Sequence, residues 1–357
     1  MFCARNALRK LPAAFGLTLI ASAYVMPAAA TPSLVVNLDT QQVLYAEDAG
    51  HPWYPASVTK LMTALVTFEA LENGEVNLKS PVVMSPKAMS QQSLKSGLKV
   101  GSTMTLQDAL YAMLVGSAND VAVALAERVA SNEASFVLRM NSQAQSLGMT
   151  ASHFVNANGL FDPAQQTSAR DLAILAREVY LRFPQYHEVF TTSEVFIDKE
   201  DLTSNNDLLT RLPGTVGMKT GFVCPSGRNI VALTDRDGQR MIAVVLGATT
   251  GREVSERAAK LLTEAMNGDL SPNGSNLEDV VNDLQQQPVD MRMRVCSNQS
   301  AAYEAEQNKR YPMGIGRNRS YLTASLEPQS HSIRTWQASF GFQAPLPRAK
   351  PSKTLSH

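Results

Sequence analysis

Ser57 and Lys60 stand three residues apart in the run Pro55-Ala56-Ser57-Val58-Thr59-Lys60, just ahead of apolar residues at 61, 64, 65, 68 and 71. That period is one face of an α-helix, stopped by Asn73-Gly74, so both side chains belong to the first turn of a buried helix and project from one side. An amine beside a hydroxyl is the minimum equipment for an activated serine nucleophile. The lysine must be neutral to take the hydroxyl proton, and the helix N-terminus offers backbone N–H groups where an oxyanion would form. Taken alone, the pair also fits an N-capping serine and a surface lysine.

Two further triplets can share a cleft with this pair. Ser117-Ala118-Asn119 breaks a helical pattern, and Lys219-Thr220-Gly221 stands just ahead of a strand. The elements that would position them fall into a clear order. Residues 33–38 and 42–45 read as a hairpin around Asp39-Thr40-Gln41. Residues 75–104 are polar and rich in turn formers. Thr105-Leu106-Gln107-Asp108 caps a helix that ends at Gly116, and further apolar-periodic helices run over 121–129, 133–147 and 172–181, the last capped by Ser168. After Pro184 the pattern turns extended, with β-rich runs at 228–234 and 241–246 joined by Asp235-Arg236-Asp237-Gly238, then a helix over 253–266. Strands from both ends and helices between them predict an α+β fold: one antiparallel sheet flanked by helices, plus an all-helical lobe, with the cleft between sheet and lobe.

The rest of the chain bounds the function. Its 32 basic and 32 acidic residues among 357 leave no charge bias, so nucleic acid is not an expected partner. Residues 1–30 carry Arg5, Arg9 and Lys10 before an apolar run and end in Ala28-Ala29-Ala30, the pattern of a secretory signal, which predicts an exported protein in the periplasm or cell envelope. Residues 31–270 form the expected catalytic domain. Residues 271–357, beginning with the linker Ser271-Pro272-Asn273-Gly274, lack periodicity and read as a polar, partly disordered tail. Two cysteines remain after signal removal, Cys224 and Cys296; in an oxidising compartment they are a candidate disulfide, although two separate thiols also fit. None of the five histidines has metal-ligand spacing, and no metal or cofactor is expected.

The three triplets, in this order, resemble the serine D-Ala-D-Ala carboxypeptidases, the low-molecular-mass penicillin-binding proteins. Longer blocks share the resemblance: residues 53–57, 117–120, 154–160 and 217–222, within a span of about 33 to 268. It implies a penicillin-binding transpeptidase or β-lactamase-like fold, with peptidoglycan stem peptides and β-lactams as ligands. It implies that Ser57 attacks the penultimate D-Ala carbonyl of a stem pentapeptide, Lys60 is the base, and Ser117 relays a proton to the leaving amine. It further implies that Asn119 holds Lys60 and the substrate amide, that Lys219, Thr220 and Arg252 bind the terminal carboxylate, and that Gly221 lets the substrate lie along the strand edge. The backbone N–H groups of Ser57 and Phe222 would form the oxyanion hole. Phe222 stands where several relatives carry histidine, which leaves substrate preference open. The tail does not resemble the β-rich C-terminal domain of better-known members; it is a candidate for peripheral contact with membrane or wall.

Three other readings share parts of this pattern. A D,D-endopeptidase would use the same residues. A class A-type β-lactamase would add a glutamate in an E-x-x-L-N-type loop, and none stands between Ser117 and Lys219. A catalytically idle wall-binding protein would not need every triplet intact.

Overall fold

The structure, a computed structural model, describes residues 31–272 and 274–337. The expected leader, 1–30, and the last twenty residues lie outside the described residues.

The two ends of the catalytic region build one sheet. Its strands are β1 (Ser33–Asn37), β2 (Val43–Glu47), β3 (Thr215–Val223), β4 (Gly227–Arg236) and β5 (Gln239–Ala248), in the order β2-β1-β5-β4-β3. Every neighbouring pair is antiparallel, and β1 meets β5 with Ser33 opposite Val245. The first hairpin is set by Asn37, whose Oδ1 accepts the N–H groups of Asp39 and Thr40 at 2.9 Å. Along β5 the alternation sends Ile242, Val244 and Leu246 to one apolar layer and Ala243 and Val245 to the other. Both faces are therefore covered, which explains a strand that is apolar throughout.

Helices supply the cover. In chain order they are α1 (Lys60–Glu72), α2 (Leu106–Leu114), α3 (Asn119–Ala130), α4 (Glu133–Ser146), α5 (Ala169–Arg182) and α6 (Gly251–Asn267). Thr105, Asn132, Ser168 and Thr250 cap α2, α4, α5 and α6 by accepting the backbone N–H three residues on. Helix α6 covers one sheet face through Val254, Ala258 and Leu262. On the other side α1 is buried continuously from Lys60 to Ala70, so it is the axis of the helical lobe, with other elements on every side of it.

Three segments differ from the sequence reading. Within 75–104 the chain forms short strands, Pro81–Val83 and the start of Ser102–Thr105, and a helical turn Pro86–Met89. Lys219-Thr220-Gly221 lies inside β3 rather than ahead of a strand, because glycines at 217 and 221 dilute its β signal. The described part of the 271–357 tail is packed, not loose. Leu277 and Met291 are fully buried, and Asn282 accepts from Ser168 Oγ at 2.7 Å while donating to Thr150 Oγ1 and Asp171 Oδ1 at 2.8 Å. Cys296 is disulfide-bonded to Cys224. Residues 330–333 then add a parallel strand beside Glu194–Ile197, and His331 stacks on Tyr111 with ring centres 3.7 Å apart. The tail is anchored by isolated apolar residues and polar bonds, which leave no period to read.

Candidate active site

Ser57 sits in a 3-10 turn, Ala56–Thr59, that runs directly into α1 at Lys60. In a 3-10 turn residues three apart eclipse, which brings Lys60 Nζ to 3.0 Å from Ser57 Oγ. The turn is pinned from three directions. Asn229 of β4 donates to the carbonyls of Tyr54 and Pro55 at 2.9 and 3.0 Å, and its Oδ1 accepts Gly247 N–H. Trp53, read from the sequence as core, is buried and donates its indole N–H to Ser226 O at 2.9 Å. Strand β3 presses Gly221 against the turn so closely that a Cβ there would lie 2.8 Å from Ser57 N and 3.0 Å from Val58 N. Gly221 thus also faces the nucleophile's own backbone, a duty beyond the substrate-facing one the resemblance assigns it.

Lys60 is fully buried and meets two further oxygens, Asn119 Oδ1 at 2.7 Å and Asn158 O at 2.6 Å. Asn119 Nδ2 donates to Gln92 O, which fixes its oxygen toward the lysine. The two oxygens only accept. A neutral lysine has two N–H donors and one lone pair, so both donors are taken and the lone pair is left for the Ser57 hydroxyl. Burial, and second the charge of Lys219, hold Lys60 well below the usual lysine pKa, against a weaker upward pull from Asp120. Asp120 is itself satisfied by Ser96 N, Ser96 Oγ and Val121 N.

Ser117 lies between α2 and α3 with φ of 56°, a left-handed conformation rarely taken by serine, which places its hydroxyl in the cleft. Its Oγ accepts from Lys219 Nζ at 3.0 Å, and Lys219 also donates to Thr220 O at 3.1 Å. Burial brings the Lys219 pKa down to about 7. Ser57, Ser117, Thr220, Gly221 and Phe222 line one cleft of about 400 Å³. Five of the candidate positions are thus brought to one wall, with Lys60, Asn119 and Lys219 behind it.

Arg252 departs from its expected place. Its guanidinium donates to the carbonyls of Tyr311 and Met313 at 2.9 and 2.7 Å and to Asn308 Oδ1 at 2.7 Å, because the tail brings three acceptor oxygens to the start of α6. The sequence reading missed Asn229 and Arg228 on β4. It also missed the part played by the Asn158 carbonyl, since a backbone acceptor leaves no trace in residue type. His153 pairs through its backbone with Gln166, and Asn156 closes its own loop by accepting Gly159 N–H.

A family description, D-alanyl-D-alanine carboxypeptidase, matches residues 21–250. The chain is 33% identical over 235 residues to the D-alanyl-D-alanine carboxypeptidase DacF of Bacillus subtilis, a match over 64% of this chain and 60% of that relative. Among solved structures it is similar to penicillin binding protein 5 from Haemophilus influenzae, with a TM-score of 0.64 and 29% identity over 67% of this chain and 71% of that one. It is also similar to Penicillin-Binding Protein D2 from Listeria monocytogenes in its cefotaxime-bound form, with a TM-score of 0.60 and 32% identity over 66% and 96% of the two chains.

Proposed function

The chain belongs to the D-alanyl-D-alanine carboxypeptidase family, and on that premise we propose that it removes the terminal D-Ala from peptidoglycan stem pentapeptides through an acyl-enzyme on Ser57. The observation that carries the reading is the set of three oxygens around Lys60 Nζ. Two acceptors aim the amine, burial beside the charge of Lys219 keeps it neutral, and the third oxygen is the hydroxyl it deprotonates.

The reaction then follows from the positions of the groups. Lys60 takes the proton as Ser57 Oγ attacks the penultimate carbonyl, and the oxyanion forms against the N–H groups of Ser57 and Phe222. Ser117, which accepts from Lys219, has its own O–H free to pass a proton to the departing D-Ala amine. The proton held by Lys60 then restores the Ser117 hydroxyl, so Lys60 is neutral again and serves as base as water attacks the ester, its proton returning to Ser57 Oγ as the acyl bond breaks. Lys219 contributes positive charge beside the leaving group's carboxylate while it is protonated, and Thr220 adds a hydroxyl on the cleft wall. β-Lactams, which carry a carboxylate beside a strained acyl bond, acylate the same serine.

The leader pattern supports export to the periplasm or envelope, where the substrate lies. No described helix is long and apolar enough to cross a membrane. The test is release of D-Ala from a stem pentapeptide by the mature protein. Ser57→Ala is expected to reduce the rate to background with the melting temperature unchanged, and continued release by that variant overturns the assignment.

A further inference from the structure

We propose that Arg228 is the cation that receives the substrate's terminal carboxylate in this chain, the place that the family resemblance gives to Arg252. The inference rests on reading the cleft as a carboxypeptidase site, and it names the residue that selects a free C-terminus there.

Arg252 is already occupied. Three oxygens from the tail take three of its five N–H groups and hold the guanidinium against the tail, and Arg252 is not among the residues that line the cleft. Lys219 is partly occupied as well, by Ser117 Oγ and Thr220 O. Arg228 is in the opposite condition. It lines the cleft with Ser57 and Thr220, yet its Nε is buried without a hydrogen-bond partner. Among the described residues none gives its guanidinium a hydrogen bond or an ion pair. A buried donor left unmade is costly, and an entering carboxylate supplies two acceptor oxygens in the planar geometry that a guanidinium matches.

The ladder explains how the side chain reaches the right place. Arg228 stands directly opposite Phe222, and Thr220, two residues before Phe222, shares its sheet face. Diagonal neighbours on an antiparallel pair lie within reach of a long side chain, and Arg228 and Thr220 both line the cleft. The Phe222 ring lies against the Arg228 guanidinium, with its centre 4.7 Å from the guanidinium carbon. This gives the aromatic residue after the third triplet a duty: it orients the cation. Among the described residues Asp207 is the one carboxylate on the cleft wall, and it accepts from Ser255 Oγ at 3.2 Å rather than pairing with Arg228.

The experiment compares two peptides that differ only in the charge at the C-terminus: diacetylated L-lysyl-D-alanyl-D-alanine as the free acid and as its C-terminal amide. Wild-type protein is expected to favour the acid in kcat/KM. Arg228→Gln should lower kcat/KM on the acid by at least about tenfold, the loss expected for a charge-assisted hydrogen bond, and so shrink the preference. Arg228→Lys, which keeps the charge but not the fork, should fall between, and Arg252→Gln should retain the wild-type preference. Circular dichroism of each variant separates a folding defect from a binding one, and the lysine variant keeps the comparison open if the glutamine variant does not fold. An unchanged preference in the Arg228 variants, or its loss in Arg252→Gln, overturns the proposal while leaving the carboxypeptidase reading intact. A wild-type protein that hydrolyses neither peptide overturns that reading and this one with it.

Discussion

Lys60 and Lys219 are both buried, yet burial acts on them through different surroundings. Lys60 has two acceptors and a hydroxyl around it, whereas Lys219 has Ser117 Oγ and the Thr220 carbonyl. Acylation needs neutral Lys60, so its rate should fall as pH drops through the depressed Lys60 pKa. Removing the Lys219 charge with Lys219→Met takes away a neighbour that lowers that pKa, so the acid limb of the pH profile should move to higher pH. Stopped-flow acylation by a chromogenic β-lactam reads the limb, and a limb at the same pH in both proteins contradicts the coupling. Stability should respond too. The Lys219 pKa of about 7 in the fold lies below its unfolded value, so the unfolded chain binds more protons between the two. Stability is then lost as pH falls from the unfolded value toward 7 and is flat below. In denaturant melts Lys219→Met should gain most over wild type near pH 6, by roughly a few kcal/mol, and the gap should narrow toward pH 10.

At the level of elements, the nucleophile's turn is held by close backbone approach and by one buried asparagine. Gly221→Ala would drive a methyl group to 2.8 Å from Ser57 N, which is backbone and cannot swing aside. Overpacking of this kind costs about 1–3 kcal/mol, and because the atom displaced carries the nucleophile, acylation should fall by at least about tenfold. Parallel melts and labelling kinetics check both; wild-type acylation in this variant would show that the contact is slack. Asn229→Ala removes three hydrogen bonds around Tyr54, Pro55 and Gly247 and leaves their groups buried, a loss of about 2–3 kcal/mol by thermal or urea melts. These contacts explain what could be read in advance. The helix starts, the Thr105 and Ser168 caps, the two hairpins and the three triplets all carry local signals in residue type and period. Asn229 carries none, because its partners stand 175 and 174 residues earlier in the chain. Strand β3 was hidden by its own glycines, the residues that let it approach Ser57. The 3-10 turn under Ser57 is likewise invisible to a periodicity that begins at Leu61.

Across the whole molecule, the tail turns from a loose appendage into a strap. It leaves α6, buries Leu277 against the core, reaches α5 through Asn282 and joins the β3–β4 turn through Cys296. It then takes the Arg252 guanidinium, and its described part closes beside strands at Glu194 and Ser102. Its residues are polar and its apolar anchors widely spaced, which is why composition read it as unstructured. The disulfide spans a sequence separation of 72, and closing a loop of that size in the unfolded chain corresponds to about 4 kcal/mol in the chain-entropy account. Cys296→Ser should therefore lower stability by about 2–4 kcal/mol, measured by urea melts of the exported form, with the larger part of the catalytic core still folding. An unchanged midpoint would mean that the noncovalent anchors alone hold the strap.

The account rests on Ser57 as the residue that becomes acylated with Lys60 beside it. Trypsin cuts after Lys60 and finds no earlier lysine or arginine from residue 31 onward, so a single peptide reports on the serine. Peptide mass mapping of the mature protein after incubation with benzylpenicillin is the most direct measurement. The account predicts one stoichiometric adduct on the peptide ending at Lys60, absent from Ser57→Ala. An adduct on any other peptide, or one that survives that substitution, contradicts it.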